Sequence, residues 1–222
     1  MVRLKTTLIV LGVALIAMFC VGMPEMVKLV TPARDFYELT PDDLEKDVHV
    51  TADIDFTMGA FVTNTKTTTK NGVKVSETET SREYAVPFFG VDADNYIYID
   101  GVMGVDVPTK DFDAAERLAD ASWAWWEDAT GTIPYPTNYI HVDGIARSMD
   151  DDEIRLFEQA LVDCGYTKEE AKYLVVPYII EMKNTKSVII KEIACLIGGV
   201  LLVFAGVALF IAGARKRKVQ TA

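Results

Sequence analysis

Apolar positions change their spacing three times along the chain, and each change predicts a different kind of element. Residues 193–214 are 22 consecutive uncharged positions in which Leu, Val, Phe, Ala and Gly occupy every helical face. At about 1.5 Å per residue such a run makes roughly 33 Å of helix, enough to cross a hydrocarbon core of ~30 Å. A core helix of a soluble domain would carry a polar stripe, and this one has none. Gly199, Gly206 and Gly213 recur every seven residues and flatten one side, a surface suited to close packing against another helix.

A second run, Thr6 to Pro24, gives 19 uncharged residues after MVRLK. It stays apolar to Met23 and has no A-x-A cleavage pattern, so it reads as a retained signal anchor rather than a cleaved signal peptide. The expected organisation is residues 1–5 as an N-terminal tail, 6–24 as the first span, 25–188 as a folded insert, 189–214 as the second span with its lead-in, and 215–222 as a basic tail.

Within the insert the period becomes two. Val48, Val50, Ala52, Ile54 and Phe56 alternate with polar residues, the pattern of a strand buried on one face. Thr40-Pro41-Asp42-Asp43 precedes it with a helix-start signal. FVTNTKTTTK and VKVSETETSR flank Asn71-Gly72, a strong hairpin signal. A two-residue turn pairs Lys70 with Val73, and counting back sets Thr67 opposite Ser76, Lys66 opposite Glu77 and Thr65 opposite Thr78. Both faces of this ribbon are polar, so it should project into solvent. Thr65, Lys66, Thr67, Glu77 and Thr78 are its candidate partner contacts.

Further strands are expected over 84–89, 96–99 and 102–107, with Asp92-Ala93-Asp94-Asn95 as a turn. A helix from Thr109 or Asp111 toward Gly131 would put Phe112, Ala115, Ala119, Ser122 and Trp126 on one face, with Trp123 and Trp125 at its borders. A strand over 138–145 leads to a helix opened by Ser148 and Asp151, with Ile154, Phe157, Leu161 and Cys164 inward and Gly165 as its stop. Thr167 and Glu170 cap a short helix before the extended run Tyr173 to Ile180, which Pro177 marks as an edge strand. This order predicts an α+β fold, a mostly antiparallel sheet with packed helices, inserted between two transmembrane helices.

Charge decides the sides. Arg3 and Lys5 at one end and Arg215 to Lys218 at the other place both termini in the cytoplasm and the insert outside, since long loops translocate largely regardless of their own charge. Residues 24–188 carry 32 acidic against 15 basic residues, a net of −17, which excludes nucleic acid as a partner. Cys20 and Cys195 lie in the spans and only Cys164 in the insert, so no disulfide closes there and stability must come from a core.

The sequence offers no catalytic, cofactor-binding or metal-ligating residue by motif or spacing. Asp92 and Asp94 begin a calcium-loop pattern that fails where Ile97 and Met103 stand in place of Gly and Glu. Asp150 to Glu153 suit a helix N-terminus. His49 and His141 lie on separate strands without a second ligand at metal spacing. Cys164 ends a helix, where the dipole disfavours a thiolate. No nucleophile elbow, phosphate loop or H-E-x-x-H is present.

VHVTADIDFTMGAF, YIHVDGIARSMDDDEIRLFEQAL and YLVVPYII together make most of residues 40–182 similar to a group of uncharacterised bacterial membrane proteins with two spans around an outer α+β domain. The resemblance implies this topology and a bacterial cell membrane, and brings no catalytic residues with it. The expected function is a membrane-anchored binding or scaffolding domain with a membrane or envelope protein as partner. A carboxylate-based envelope hydrolase is the alternative, since paired acids leave little sequence signature. A sensor or transporter accessory subunit, coupled through the glycine face, is a third.

Overall fold

The computed structural model describes the backbone of residues 2–70 and 73–220 and the side-chain surroundings of residues 3–69 and 74–212. The chain divides into two compact units, the helical ends (1–31 with 184–222) and the stretch 32–183. Two helices, α1 (Val2–Val30) and α5 (Thr185–Gln220), make the first unit. Both are long and apolar enough to cross a membrane. α1 continues beyond the expected boundary, through Pro24 to Val30. Proline removes one backbone donor, a loss that a helix of this length absorbs. The turn residues Asn71-Gly72 and the tail beyond Gln220 lie outside the described residues.

The second unit is α+β. Seven strands, β1 (Arg34–Asp35), β2 (His49–Ile54), β3 (Gly59–Lys70), β4 (Val73–Val91), β5 (Ile97–Pro108), β6 (Ile140–Ser148) and β7 (Val175–Met182), form one mixed sheet in the order β1-β2-β6-β7-β5-β4-β3. Antiparallel ladders predominate, and the two parallel pairs are β1 with β2 and β5 with β7. Three helices pack on it: α2 (Phe112–Trp126), α3 (Asp151–Asp163) and α4 (Lys168–Leu174).

This sheet cannot be flat. β2 and β3 stand five places apart, roughly 24 Å at about 4.8 Å per strand. Only Asp55–Met58 join them, and an extended chain from Ile54 to Gly59 reaches at most roughly 18 Å. The sheet therefore curls, and the connector docks on β4, where Thr57 Oγ1 and the Met58 amide both donate to the Ala85 carbonyl at 2.8 Å. Phe36, just after β1, accordingly lies 4.7 Å from the Phe88 ring.

Alternation along the strands builds two cores. Val50, Ile54, Tyr84, Val86, Met103 and Val105 share one phase and bury Phe36, Leu39 and Leu118. The opposite phase, Ala85, Val102 and Ile179, packs under Phe157 and Leu161 of α3 and Leu174 of α4, with the Phe61 and Phe157 rings stacked at 4.1 Å. Burying a side chain of this size contributes about 1.5–3 kcal/mol.

The two segments 96–99 and 102–107 are one strand, β5. The N-cap of α3 is Asp150, not Ser148: its carboxylate accepts from the Glu153 amide and Glu153 answers to the Asp150 amide, both at 2.8 Å. Trp126, expected on the buried face of α2 with Ala115 and Ala119, is 38% exposed, while Leu118 is buried. Cys164 is exposed at the helix end rather than inward. β7 is an interior strand. Pro177 is accommodated because it precedes the first β6–β7 pair, Ser148 with Tyr178, and sits where the β5–β7 ladder is irregular.

The ribbon register also differs. Lys70 does face Val73, but a bulge between Thr68 and Thr69 shifts every later pair, so that Thr67 meets Glu77, Lys66 meets Thr78 and Thr65 meets Glu79. Beyond the Ser81–Pro108 pair no third strand among the described residues supports the ribbon, and its described residues from Thr65 outward are exposed. It buries little apolar area and should contribute little stability. Excising residues 66–78 and closing with Asn-Gly is expected to lower Tm by a few degrees at most, ~1 kcal/mol or less, in a thermal melt of the full-length protein.

Candidate functional site

Three regions hold chemistry worth weighing. The first is a charged row at the base of the ribbon. Glu83 on β4 pairs with Asp106 on β5, which pairs with Glu181 on β7, so three carboxylates stand side by side on one face. Like charges directly across strands repel, and the row exists because Arg147 of β6 reaches into it. Its guanidinium contacts Glu83 at 3.0 Å, both oxygens of Glu153 at 2.7 Å, and Glu181 at 3.1 Å. Asn64 adds a bond to Glu83 at 3.2 Å. Lys183 holds the other oxygen of Glu181 at 3.0 Å.

Glu83 is 0% exposed, and its Oε2 has no hydrogen-bond partner among the described residues. Burial, reinforced by the Glu153 and Asp106 charges against the opposing pull of Asn64 and Arg147, pushes its carboxyl up to about 7. For Glu153 burial also acts upward, but the Arg147 and Asp150 hydrogen bonds prevail and hold it below the usual carboxylate range. One acid is thus poised near neutrality and its neighbour is firmly ionised. The sequence carries a faint sign of this row, since Glu83 occupies an inward phase of an alternating strand.

The second region is the β2–β6 pair, which does bring the two histidines onto neighbouring strands. They do not converge: His49 Nε2 meets Asp143 at 2.6 Å and His141 Nδ1 meets Asp53 at 2.8 Å. Each ring has its own carboxylate, and no cluster of His, Cys, Asp and Glu suited to a metal occurs among the described residues. Asp55 nearby accepts from the hydroxyls of Tyr37, at 2.6 Å, and Tyr135, at 3.1 Å, tying the connector to the segments that follow β1 and precede β6. Burial, helped by Asp55, pushes both phenols above their ordinary range.

The third region is apolar and open. Phe56 is surrounded by the rings of Phe89 at 5.1 Å, Trp125 at 6.0 Å, Trp126 at 6.1 Å and Tyr135 at 6.5 Å. Trp123 closes the inner side, with its Nε1 donating to the Met58 carbonyl at 2.9 Å. Phe89 leads into the β4–β5 hairpin, where Val91 is 61% and Ile97 53% exposed and Tyr96 and Tyr98 also face solvent. The Asp92 carboxylate accepts from the amides of Asp94 and Tyr96 at 2.9 Å and so holds the tip as a turn, with Asn95 at φ 64°. Apolar residues in both phases beside a polar turn were the signal available in the sequence.

Three cavities adjoin this hairpin. The first, about 130 Å³, has Tyr37, Pro41, Phe88 and Asp100 among its walls. The second, about 450 Å³, shares Thr40, Pro41 and Asp100 with it and adds Asp42, Tyr173 and Pro177. The third, about 420 Å³, shares Tyr173 with the second and includes Ile99 and Glu169.

The residues singled out from sequence stand elsewhere. Thr65, Lys66, Thr67, Glu77 and Thr78 all lie exposed on the ribbon, where Thr65 donates to Glu77 at 3.2 Å. Within the helical unit Gly199 and Gly206 face α1. A Cβ on Gly199 would meet the Gly12 carbonyl oxygen at 2.8 Å, and one on Gly12 would meet the Gly199 carbonyl oxygen at 2.7 Å. A Cβ on Gly206 would meet Ile9 at 2.6 Å. The surroundings of Gly213 lie outside the described residues. Gly12, absent from the heptad reading, is the backbone partner of Gly199. Partial desolvation at the end of α3, with the Asp163 charge beside it, pushes the otherwise exposed Cys164 thiol up, in keeping with an inert cysteine.

The family model described as Domain of unknown function (DUF8577) matches residues 1–213, and the chain belongs to that family. No curated protein and no solved structure matches it.

Proposed function

We propose that this member of the family is a membrane-anchored binding domain that holds another envelope protein outside the cell membrane. In this reading α1 is an uncleaved signal anchor, α5 is the second span, both termini are cytoplasmic and residues 32–183 are extracytoplasmic. The observation that carries it is the aromatic face at the β4–β5 hairpin. Exposed Val91, Tyr96, Ile97 and Tyr98 run into the ring cluster of Phe89, Trp125, Trp126 and Tyr135. Contiguous apolar surface of this kind marks interaction sites, and Trp and Tyr dominate binding hot spots.

Geometry favours this over the alternatives from sequence. The aligned row of carboxylates that could have served a hydrolase centres on Glu83, which is buried and bound to Arg147. The glycine face offered to a transporter subunit is taken up within the chain by α1.

A photo-crosslinking residue placed at Ile97 in intact cells is expected to give a discrete adduct that disappears in the Phe89→Ala, Trp126→Ala double variant. The same label at Thr67 is expected to give none. Adduct formation from Thr67 alone would transfer the docking role to the ribbon. Protease added outside sealed, wall-free cells should cut within 32–183 and spare tags at both termini; a protected domain overturns the orientation.

A further inference from the structure

Resting on the binding-domain reading above, we infer that the groove formed by the three adjoining cavities receives an extended, lysine- or arginine-bearing segment of the partner protein. Shared walls make the cavities one trough rather than three isolated holes: Thr40, Pro41 and Asp100 belong to the first and second, and Tyr173 to the second and third. A trough of that form suits a stretch of chain better than a compact ligand.

Pro41, Pro87 and Pro177 carry no backbone N–H, so an incoming segment finds no donor at those three positions. The groove presents flat ring surface: the pyrrolidines of Pro41 and Pro177, Phe89 at one end, and Tyr173, 82% exposed, at the junction of the larger cavities. Aromatic and proline surfaces of this type take extended polyproline-like segments, which lose little entropy on docking. The proline ring of Pro41 comes close because position 101 is glycine; a Cβ there would meet it at 3.0 Å.

Charge selects the occupant. Asp42, Asp100 and Glu169 line the trough, are exposed, and have no hydrogen bond or ion pair among the described residues. Their situation differs from that of Asp43 and Glu170, one position away, whose carboxylates cap Thr40 and Thr167. No lysine or arginine lines any of the three cavities, and none occurs in the sequence between Arg82 and Lys110. The surrounding domain is strongly acidic, which focuses cations toward such a cleft. Tyr173 adds a ring face against which an ammonium or guanidinium can rest.

The test uses full-length protein in lipid nanodiscs and two fluorescent probes, a Pro-Lys-Pro repeat peptide and its Pro-Glu-Pro counterpart, followed by anisotropy. The lysine peptide is expected to bind saturably and to weaken as salt rises, while the glutamate peptide does not bind. Asp42→Asn with Asp100→Asn should weaken the lysine peptide about tenfold, and Tyr173→Ala about fivefold. Lys66→Ala on the ribbon should leave it unchanged. All these residues are exposed, so matched thermal melts will confirm that the variants fold. Equal binding of the two peptides, indifference to the variants, or no binding at all overturns the inference. A crosslinker at Ile97 separates the two levels: an adduct without peptide binding keeps the binding domain and discards the basic partner, whereas absence of both removes the reading on which the inference rests.

Discussion

Replacing Arg147 by methionine is expected to destabilise the domain by ~3–5 kcal/mol at pH 8, because the change strips the counter-charge from a buried row of carboxylates. The same substitution should cost less at pH 5. Glu83 in the fold is an acid pushed up to about 7, well above the 4.5 it has when unfolded, so the native protein binds the extra proton between those values. Stability contributed by the neutral Glu83 is therefore present at low pH and lost as pH rises through about 7, a difference of ~3 kcal/mol over that window. Glu83→Gln keeps the shape, removes the titration, and should be more stable than the parent at pH 8 with a flatter profile between pH 5 and 8. Urea unfolding followed by tryptophan fluorescence at both pH values gives all of these differences. If Arg147→Met is equally destabilising at pH 5 and 8, the row is not the seat of the pH dependence.

The second large effect is expected in the helical unit. Gly199→Leu forces a side chain onto the Gly12 backbone, which cannot rotate away, and should separate α1 and α5 by roughly 2 Å. Gly206→Leu should do less, because its nearest obstacle is the side chain of Ile9, which can change rotamer. Spin labels at Leu11 and Leu201, both exposed on the helix pair, report the separation by pulsed electron resonance. Equal responses at 199 and 206 would show that the Gly12–Gly199 crossing is not the closest approach. In both variants the pH profile of the 32–183 domain should be unchanged.

What was legible in the sequence was local. Periodicity identified β2, the α2 and α3 helices and the two long apolar helices, since burial on one face repeats every second or every 3.6 residues whatever the partner. Capping chemistry located α4 through Thr167 and Glu170, because cap and backbone are neighbours in the chain. The ribbon was visible through Asn71-Gly72, yet its register was not: one bulge at Thr68–Thr69 moves each later pair, and a bulge is set by twist and neighbouring strands rather than by the residues at the turn.

The sites behaved differently from the elements. The spacing of Gly199 and Gly206 pointed to a packing face, whereas Gly12 acquires its role only when α1 is laid against α5. Pro177 argues for an edge in isolation, but the interior place of β7 follows from β5 and β6, which approach it from distant parts of the chain. Glu83, Asp106 and Glu181 are unremarked acids until three strands align them and Arg147 arrives from a fourth. Phe89, Asp100, Pro41 and Tyr173 likewise belong to four segments whose meeting the sequence does not announce. The residues thus determined by themselves where most helices and strands form, which segments are apolar enough for a membrane and that residues 24–188 are acidic; strand order, the charged row and the groove were decided by tertiary structure, because those depend on pairings between residues far apart in sequence and on a sheet that curls to let four residues join β2 to β3.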